Sequence, residues 1–316
     1  MTLTQLEYIV ALDTHRHFVT ASEKCFVTQP TLSMQVQKLE KELDVLLFDR
    51  KKQPLEPTPV GKELIRRARQ VLREVQEMRD FVKNEKEILA GEIKIGIIPT
   101  LAPYLIPLFL SGFLKKHPPI RPVIEELQTE DLVHRLVDGR LDIGLLVTPL
   151  EEKGLEEIPV FEETFVAYLS EGHPLLAKRE LSLSDLEAHD LWILNEGHCF
   201  RNQILQICQQ KPNHERAFVY ESGSLDTLRK MVEQRFGYTL LPQLALHDIH
   251  PDRWEFLRYF EEPQPARQIS LVVHERFLKR RLVESLREEI FAQLPETIRK
   301  RSLRQQLVPL RMKGKA

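Results

Sequence analysis

HFVTASEKCFVTQPTLSMQVQKLEKELDVLLFDR, residues His17–Arg50, is interrupted in its middle by CFVTQP. Apolar spacing on either side of that interruption predicts two short helices meeting at a turn. Thr28 suits an N-cap, and Pro30 falls in the first turn of the second helix, where its missing N–H leaves no bond unmade. Leu32, Val36, Leu39 and Leu43 recur at intervals of three and four and form an inward stripe. Gln29, Thr31, Ser33, Gln35 and Lys38 are then left facing outward, with Pro30 at the tip. Small hydroxyl and amide side chains on such a face can enter a groove and hydrogen-bond base edges.

Working outward, LTQLEYIVALDTHRHF has apolar residues at Leu3, Leu6, Ile9, Val10 and Leu12, which predicts an entry helix. On the other side FDRKKQPLEPTPVGK sets Arg50, Lys51 and Lys52 before a proline-rich turn, a basic wing suited to phosphate contacts. One long helix follows, PTPVGKELIRRARQVLREVQEMRDFVKNEKEILAG. In it Leu64, Ala68, Val71, Val75, Met78 and Val82 make a narrow seam, better matched to pairing with another helix than to burial in a large core. A two-fold dimer built on that seam would set two recognition helices on successive major grooves. Periodicity alone also fits a small helical bundle with a solvated polar face. The order of the parts favours DNA.

AS at 21–22, QPTLS at 29–33, LEKELDVLLFDR at 39–50 and PTPVG at 57–61 resemble the winged helix-turn-helix of the LysR-type transcriptional regulators. The likeness follows the domain order of the whole chain and is densest in the first sixty residues. It implies double-stranded promoter DNA as a partner, RNA polymerase as another, and a homodimer assembling to a homotetramer.

Composition is compatible with this. At 316 residues two or three compact units are expected. No apolar run reaches the roughly 18 residues that span a bilayer, and the N-terminus lacks the basic region and cleavage site of a signal peptide. A cytoplasmic protein with no membrane segment is the expectation. Three cysteines argue against a disulfide framework. With a net charge of −2, contact with nucleic acid has to come from a local patch.

Beyond Gly91, EIKIGIIPT reads as a buried strand and opens an alternation: a helix at 101–116, a strand at 121–127, a helix at 130–138 and the strand LDIGLLV. A second set runs through TFVAYLS, DLWILN, a helix after Gly197, RAFVYES, SLDTLRKMVEQRF and YTLLP. RQISLVVH and a long helix then return to the first set. The alternation predicts a mostly parallel sheet covered on both sides. Two such lobes resemble the periplasmic-binding-protein-like α/β effector domain of the same regulators. The fold class expected is therefore α/β: an N-terminal winged helix-turn-helix with a long linker helix, then a two-lobed effector domain. The boundaries are 1–60 for the DNA-binding domain and 61–90 for the linker and dimerisation helix. Lobe I takes 91–163 and 267–300, lobe II takes 164–266, and 301–316 form a basic tail, expected to be disordered or to add nonspecific affinity. Ligands in such folds lie in the cleft off the carboxyl ends of strands, where Thr100 and Thr129 fall.

EGHCFRNQILQIC, Glu196–Cys208, holds two of the three cysteines. Phe200, Ile204, Ile207 and Cys208 share one face of the predicted helix. Cys199 stands at its start, beside His198 and one turn from Arg201. A helix N-terminus and a nearby cation both lower a thiol pKa and favour thiolate, the form that attacks peroxide. Nine helical residues separate the two Cα atoms by about 13 Å, whereas a disulfide needs about 4.4–6.8 Å. A bridge can form only if the helix unwinds. The plain alternative is that both are small buried hydrophobes. No second cluster with ligand spacing follows His198 and Cys199, so no metal is expected, nor any cofactor. Cys25 reads as core packing.

GHCFRNQ with a cysteine nine residues on resembles the signature of the peroxide-sensing OxyR branch of the family. The resemblance implies Cys199 as the peroxidatic thiol, Cys208 as the resolving one, and a regulator of oxidative-stress genes that is not a turnover enzyme. It implies His198, Arg201, Thr100, Thr129 and Arg267 around the thiol and its hydrogen peroxide. Where that branch has an aspartate, this chain has Asn202, which cannot act as a charged proton acceptor. Two other readings stand beside it. One is a LysR-type regulator answering a small metabolite in the same cleft. The other is a cysteine-dependent peroxidase or hydrolase fused to a DNA-binding unit, for which no third catalytic partner is identifiable.

Overall fold

A computed structural model of the chain describes residues 1–84, 91–186, 190–208, 222–234, 237–300 and 305–310. Two compact units make it up, one from Met1–Ile88 with Asp138–Arg140, the other from Leu89–Val137 and Leu141–Ala316.

In the first unit α1 (Leu3–His15), α2 (Phe18–Lys24) and α3 (Gln29–Leu43) precede a two-stranded ribbon, β1 (Phe48–Asp49) and β2 (Glu56–Pro57). Thr28 caps α3 by accepting the Thr31 N–H, and Pro30 lies in its first turn. Leu6, Ile9, Leu12, Leu32, Val36, Leu39 and Phe48 close a core of their own. Leu3, the first helical residue, has no preceding turn to pack on and stays exposed. Buried Glu40 anchors the ribbon to α3, accepting the Leu47 N–H at 2.8 Å and pairing with Arg50 at 2.8 Å.

Helix α4 (Pro59–Asn84) is about 39 Å long at 1.5 Å per residue. Among the described side chains its first turns are anchored, through Leu64, Ile65, Ala68, Leu72 and the Arg69–Asp13 ion pair at 2.7 Å. Further along, Val71 and Met78 of the predicted seam are exposed, Met78 to 71%. Leu64 and Ala68 of the same seam pack on the core of this unit, so among the described side chains the seam is exposed at Val71 and Met78.

The second unit is built on a ten-stranded mixed sheet. Strands β3 (Gly91–Ile97), β4 (Ile120–Glu126) and β5 (Ile143–Thr148) run parallel, joined by α5 (Ala102–Lys116) and α6 (Thr129–Val137). The long β6 (Leu155–Leu169) leads to β7 (Glu180–Leu181), β8 (Leu191–Trp192), α7 (Cys199–Ile207) and α8 (Leu225–Glu233). Then come β9 (Tyr238–Pro242), β10 (Leu257–Phe260), β11 (Gln264–His274), α9 (Arg280–Gln293), α10 (Glu296–Arg299) and β12 (Gln305–Leu307). The sheet is less parallel than expected. β11 is antiparallel to both β5 and β6, and β6 is antiparallel to β9 and β10. The reason is the route of the chain: β6 leaves the first lobe for the second, β11 brings the chain back, and two neighbouring strands crossing in opposite senses must pair antiparallel. The strand read in RAFVYES lies mostly outside the described residues, although Ser222 at its end bridges Leu194.

The tail also departs from expectation. Gln305–Leu307 form a strand parallel to β11, while the flanking 301–304 and 311–316 lie outside the described residues.

Candidate functional site

The region around Cys199 is assembled from four segments. Gly197, at φ +94°, turns the chain after β8 in a backbone conformation that a side chain would strain, with the Gln128 amide packed close against it. His198 is the N-cap of α7 but makes no side-chain cap, and Cys199 is the first helical residue. Arg201 reaches back to the Leu194 carbonyl at 2.8 Å and fastens the first turn of α7 to the segment after β8. Phe200, Ile204, Ile207 and Cys208 are buried on the inner face, as the period required.

Arg267 enters from β11. Its guanidinium is 1% exposed and lies 5.1 Å from the centre of the Phe200 ring. It donates to Thr100 Oγ1 at 3.0 Å and to the Thr100 carbonyl at 3.2 Å. Its remaining N–H groups meet Glu163 at 2.8 and 2.9 Å. Glu163 is itself wholly buried and accepts the Leu244 N–H at 2.8 Å. The Thr129 hydroxyl is buried without a hydrogen-bond partner among the described residues and lies near enough to favour the Cys199 thiolate.

The electrostatics differ from the expectation of a lowered thiol pKa. Burial pushes Cys199 up, and this outweighs the Thr129 hydroxyl, the Arg267 charge and the N–H groups of Phe200 and Cys199, all of which favour thiolate. The helix start and the cation are where they were expected, but removal of water is the larger effect. His198 is lowered by burial and is therefore neutral near pH 7. Cys208, at the C-cap of α7, is pushed up to about 12 by burial. At pH 8 its thiolate fraction is on the order of one in ten thousand. In the reduced protein iodoacetamide at pH 8 should label half-exposed Cys25 well before Cys208, with mapped peptides as the readout; early labelling of Cys208 would show that α7 opens readily.

The site thus brings together Thr100, Thr129, Cys199 and Arg267, with His198 and Arg201 on the flanking turns and Asn202 on the first turn of α7. Two participants were not singled out from the sequence. Glu163 left a faint signal, one of two adjacent carboxylates, Glu162 and Glu163, inside the mostly apolar VFEETFVAYL. Gln203, fully buried on α7, left none.

On the other unit, Gln29, Pro30 and Lys38 are exposed on α3, and Thr31, Ser33 and Gln35 are half-buried. The Gln35 amide oxygen accepts from Gln5 at 3.3 Å, so its outward reach is partly committed. Met34 and Gln37 share that outer face and were missed, because the reading looked for small polar residues rather than for the helical period. Lys51 is exposed; the Arg50 guanidinium pairs with Glu40 and lies 5.7 Å from the Phe18 ring. Among the described residues no group of histidine, cysteine and carboxylate side chains could hold a metal, and no helix is long and apolar enough to cross a membrane.

Both units match known families. The model of the bacterial regulatory helix-turn-helix protein, lysR family, covers residues 3–62, and that of the LysR substrate binding domain covers 86–295. The DNA-binding transcriptional dual regulator OxyR of Escherichia coli (strain K12) is 36% identical over 297 residues, 93% of this chain and 96% of that protein. The hydrogen peroxide-inducible genes activator of Haemophilus influenzae is 35% identical over 274 residues, 86% of this chain and 90% of that one. Among solved structures, a full-length OxyR carrying aspartate for cysteine, from Pseudomonas aeruginosa, is similar with a TM-score of 0.80 at 35% identity, covering 96% of this chain and 99% of that one. The chain belongs to the LysR family of bacterial transcriptional regulators, among its OxyR, hydrogen peroxide-inducible gene activators.

Proposed function

We propose that this regulator senses hydrogen peroxide through Cys199 and Cys208 and that it is a switch, not a turnover enzyme. The observation that carries the reading is the setting of Cys199: a buried thiol at a helix start, within the influence of the Thr129 hydroxyl and the Arg267 guanidinium, with the second thiol at the far end of the same short helix. The Cys199 thiolate attacks one peroxide oxygen; the O–O bond breaks and hydroxide leaves, taking up a proton to become water. Cys199 is then a sulfenic acid. The Cys208 thiol, once deprotonated, attacks that sulfur, the S–O bond breaks, and a second water leaves. Peroxide is reduced by two electrons and the two thiols are oxidised to one disulfide. With the cysteine Cα atoms about 13 Å apart along α7, closure requires the helix to unwind. Thr100 and Thr129 would hold the peroxide. Asn202 stands where a carboxylate would take up a proton, so that step falls to solvent or to His198.

A small carboxylate effector is the weaker reading. The cation it would need, Arg267, is already matched by Glu163. The deciding measurement is a mass-spectrometric thiol count with peptide mapping, before and after stoichiometric hydrogen peroxide. A Cys199–Cys208 bridge with Cys25 still reduced supports the sensor; a bridge involving Cys25, or one between chains, overturns it.

The same reading takes 1–60 as the DNA-binding domain, 61–90 as the pairing helix, 91–163 with 267–300 and 164–266 as the two lobes, and a cytoplasmic homodimer or homotetramer acting on promoter DNA with RNA polymerase. Gln29, Thr31, Ser33 and Gln35 would face base edges, with Lys38 and Pro30 on the same helix, and Arg50 and Lys51 mainly phosphate. Replacing Lys51 with alanine should weaken all duplexes alike and reduce the salt slope by about one. A changed sequence preference, measured across randomised duplexes, would show instead that the wing reads bases.

A further inference from the structure

The end of the chain is built into the sensing region. β12 extends β11 in parallel, with Gln305 opposite Gln264 and Leu307 opposite Ala266. The Val308 N–H then donates to the Ala266 carbonyl at 2.8 Å. The Val308 carbonyl accepts from Gln203 Nε2 at 2.9 Å. Gln203 lies midway between the two cysteines on α7 and is fully buried. One residue of the tail is thus bonded on one side to the backbone next to Arg267 and on the other to the centre of the cysteine helix. Val308 and Leu310 also pack on the effector core.

Helix α7 needs such support. Nine residues without a side-chain N-cap are marginal as a helix on their own, so its order comes from what it touches. Among the described residues the Val308 carbonyl is the one bond to the Gln203 side chain, whose Oε1 is buried without a partner. Breaking that bond leaves a polar group of the contact without its partner, the Gln203 amide if the tail is removed or the Val308 carbonyl if Gln203 is replaced, and either loosens the hold of the tail on the helix. A cavity of about 200 Å³ between Gln206 and Ile207 on one side and Leu307, Val308 and Pro309 on the other gives the helix end room to move.

We propose that the C-terminal segment Gln305–Leu310 is a positioning element for the cysteine pair: through Val308 and Gln203 it holds α7 helical in the reduced state and sets how readily the helix opens for closure of the bridge. The second half of this proposal rests on the peroxide-sensing reading; the first does not.

The test uses the full reduced protein and three variants: a chain ending at Arg304, a chain ending at Leu310, and Gln203→Met, which keeps the shape of the side chain and removes its bond. Hydrogen exchange is followed over 200–207. The Arg304-ending chain and Gln203→Met should exchange about tenfold faster there, with β3 and β4 unchanged, while the Leu310-ending chain behaves as wild type. Exchange within about twofold of wild type, or a rise spread evenly over the effector unit, overturns the proposal. If the Arg304-ending chain does not fold, Gln203→Met decides alone. In a second arm, quenched-flow mass spectrometry after hydrogen peroxide should show unchanged formation of the Cys199 sulfenic acid and faster disulfide closure in the same two chains. Equal closure rates would overturn the second half. A wild type whose Cys199 does not oxidise would sink the sensor reading and leave the exchange result standing.

Discussion

Glu163→Ala is expected to destabilise the effector unit by about 3–5 kcal/mol, because it leaves the Arg267 guanidinium charged, 1% exposed and without its counter-ion. The Thr100 oxygens remain as acceptors, but they are neutral and cannot offset the charge. The same substitution also takes the acceptor from the Leu244 N–H, a further unsatisfied buried group. The measurement is urea unfolding followed by tryptophan fluorescence, since both tryptophans, Trp192 and Trp254, lie in this unit. The double variant Glu163→Leu with Arg267→Met should recover much of the loss, because it removes both charges together, while losing the cation that favours the Cys199 thiolate. A Glu163→Ala protein within about 1 kcal/mol of wild type would mean that water reaches the ion pair in solution.

Cys199→Ser and Cys208→Ser should fail in different ways. Serine has no polarisable thiolate, so Cys199→Ser should lose the rapid reaction with peroxide altogether. Cys208→Ser should still react and then stop as the sulfenic acid or go on to overoxidised species. Wild type alone should show a peroxide-dependent rise in protease sensitivity around Gln203 and a changed DNA footprint. A full response of Cys199→Ser to a small carboxylate, with no peroxide present, would decide for a metabolite receptor.

The helix-turn-helix was legible because its determinants are local. An N-cap at Thr28, a first-turn proline and a stripe at Leu32, Val36 and Leu39 act over a few residues and leave their mark in order along the chain. Most strands of the effector unit were placed for the same reason: each is a short apolar run closed by a turn, and β9 matches YTLLP residue for residue. The direction of strands was less legible. Antiparallel pairing of β11 with β5 and β6 follows from where a returning strand finds room, and no residue in RQISLVVH encodes it.

The sequence by itself determined where the candidate side chains of the proposed sensor lie: two cysteines on one helix, two threonines after strands and an arginine at the head of the returning strand. Residue type and spacing placed the cysteines on one helix and the threonines at strand ends, whereas the roles given to them and to Arg267 come from the resemblance to the OxyR branch. Tertiary structure alone decided how those groups are charged and held. Residues 163 and 267 are over a hundred positions apart, as are 203 and 308, so neither pairing has any local signature. The balance at Cys199 also depends on how much water the fold removes, and burial there outweighs the helix terminus and the cation together. Desolvation is a property of the whole packed surround, whereas a spacing rule sees only neighbours along the chain.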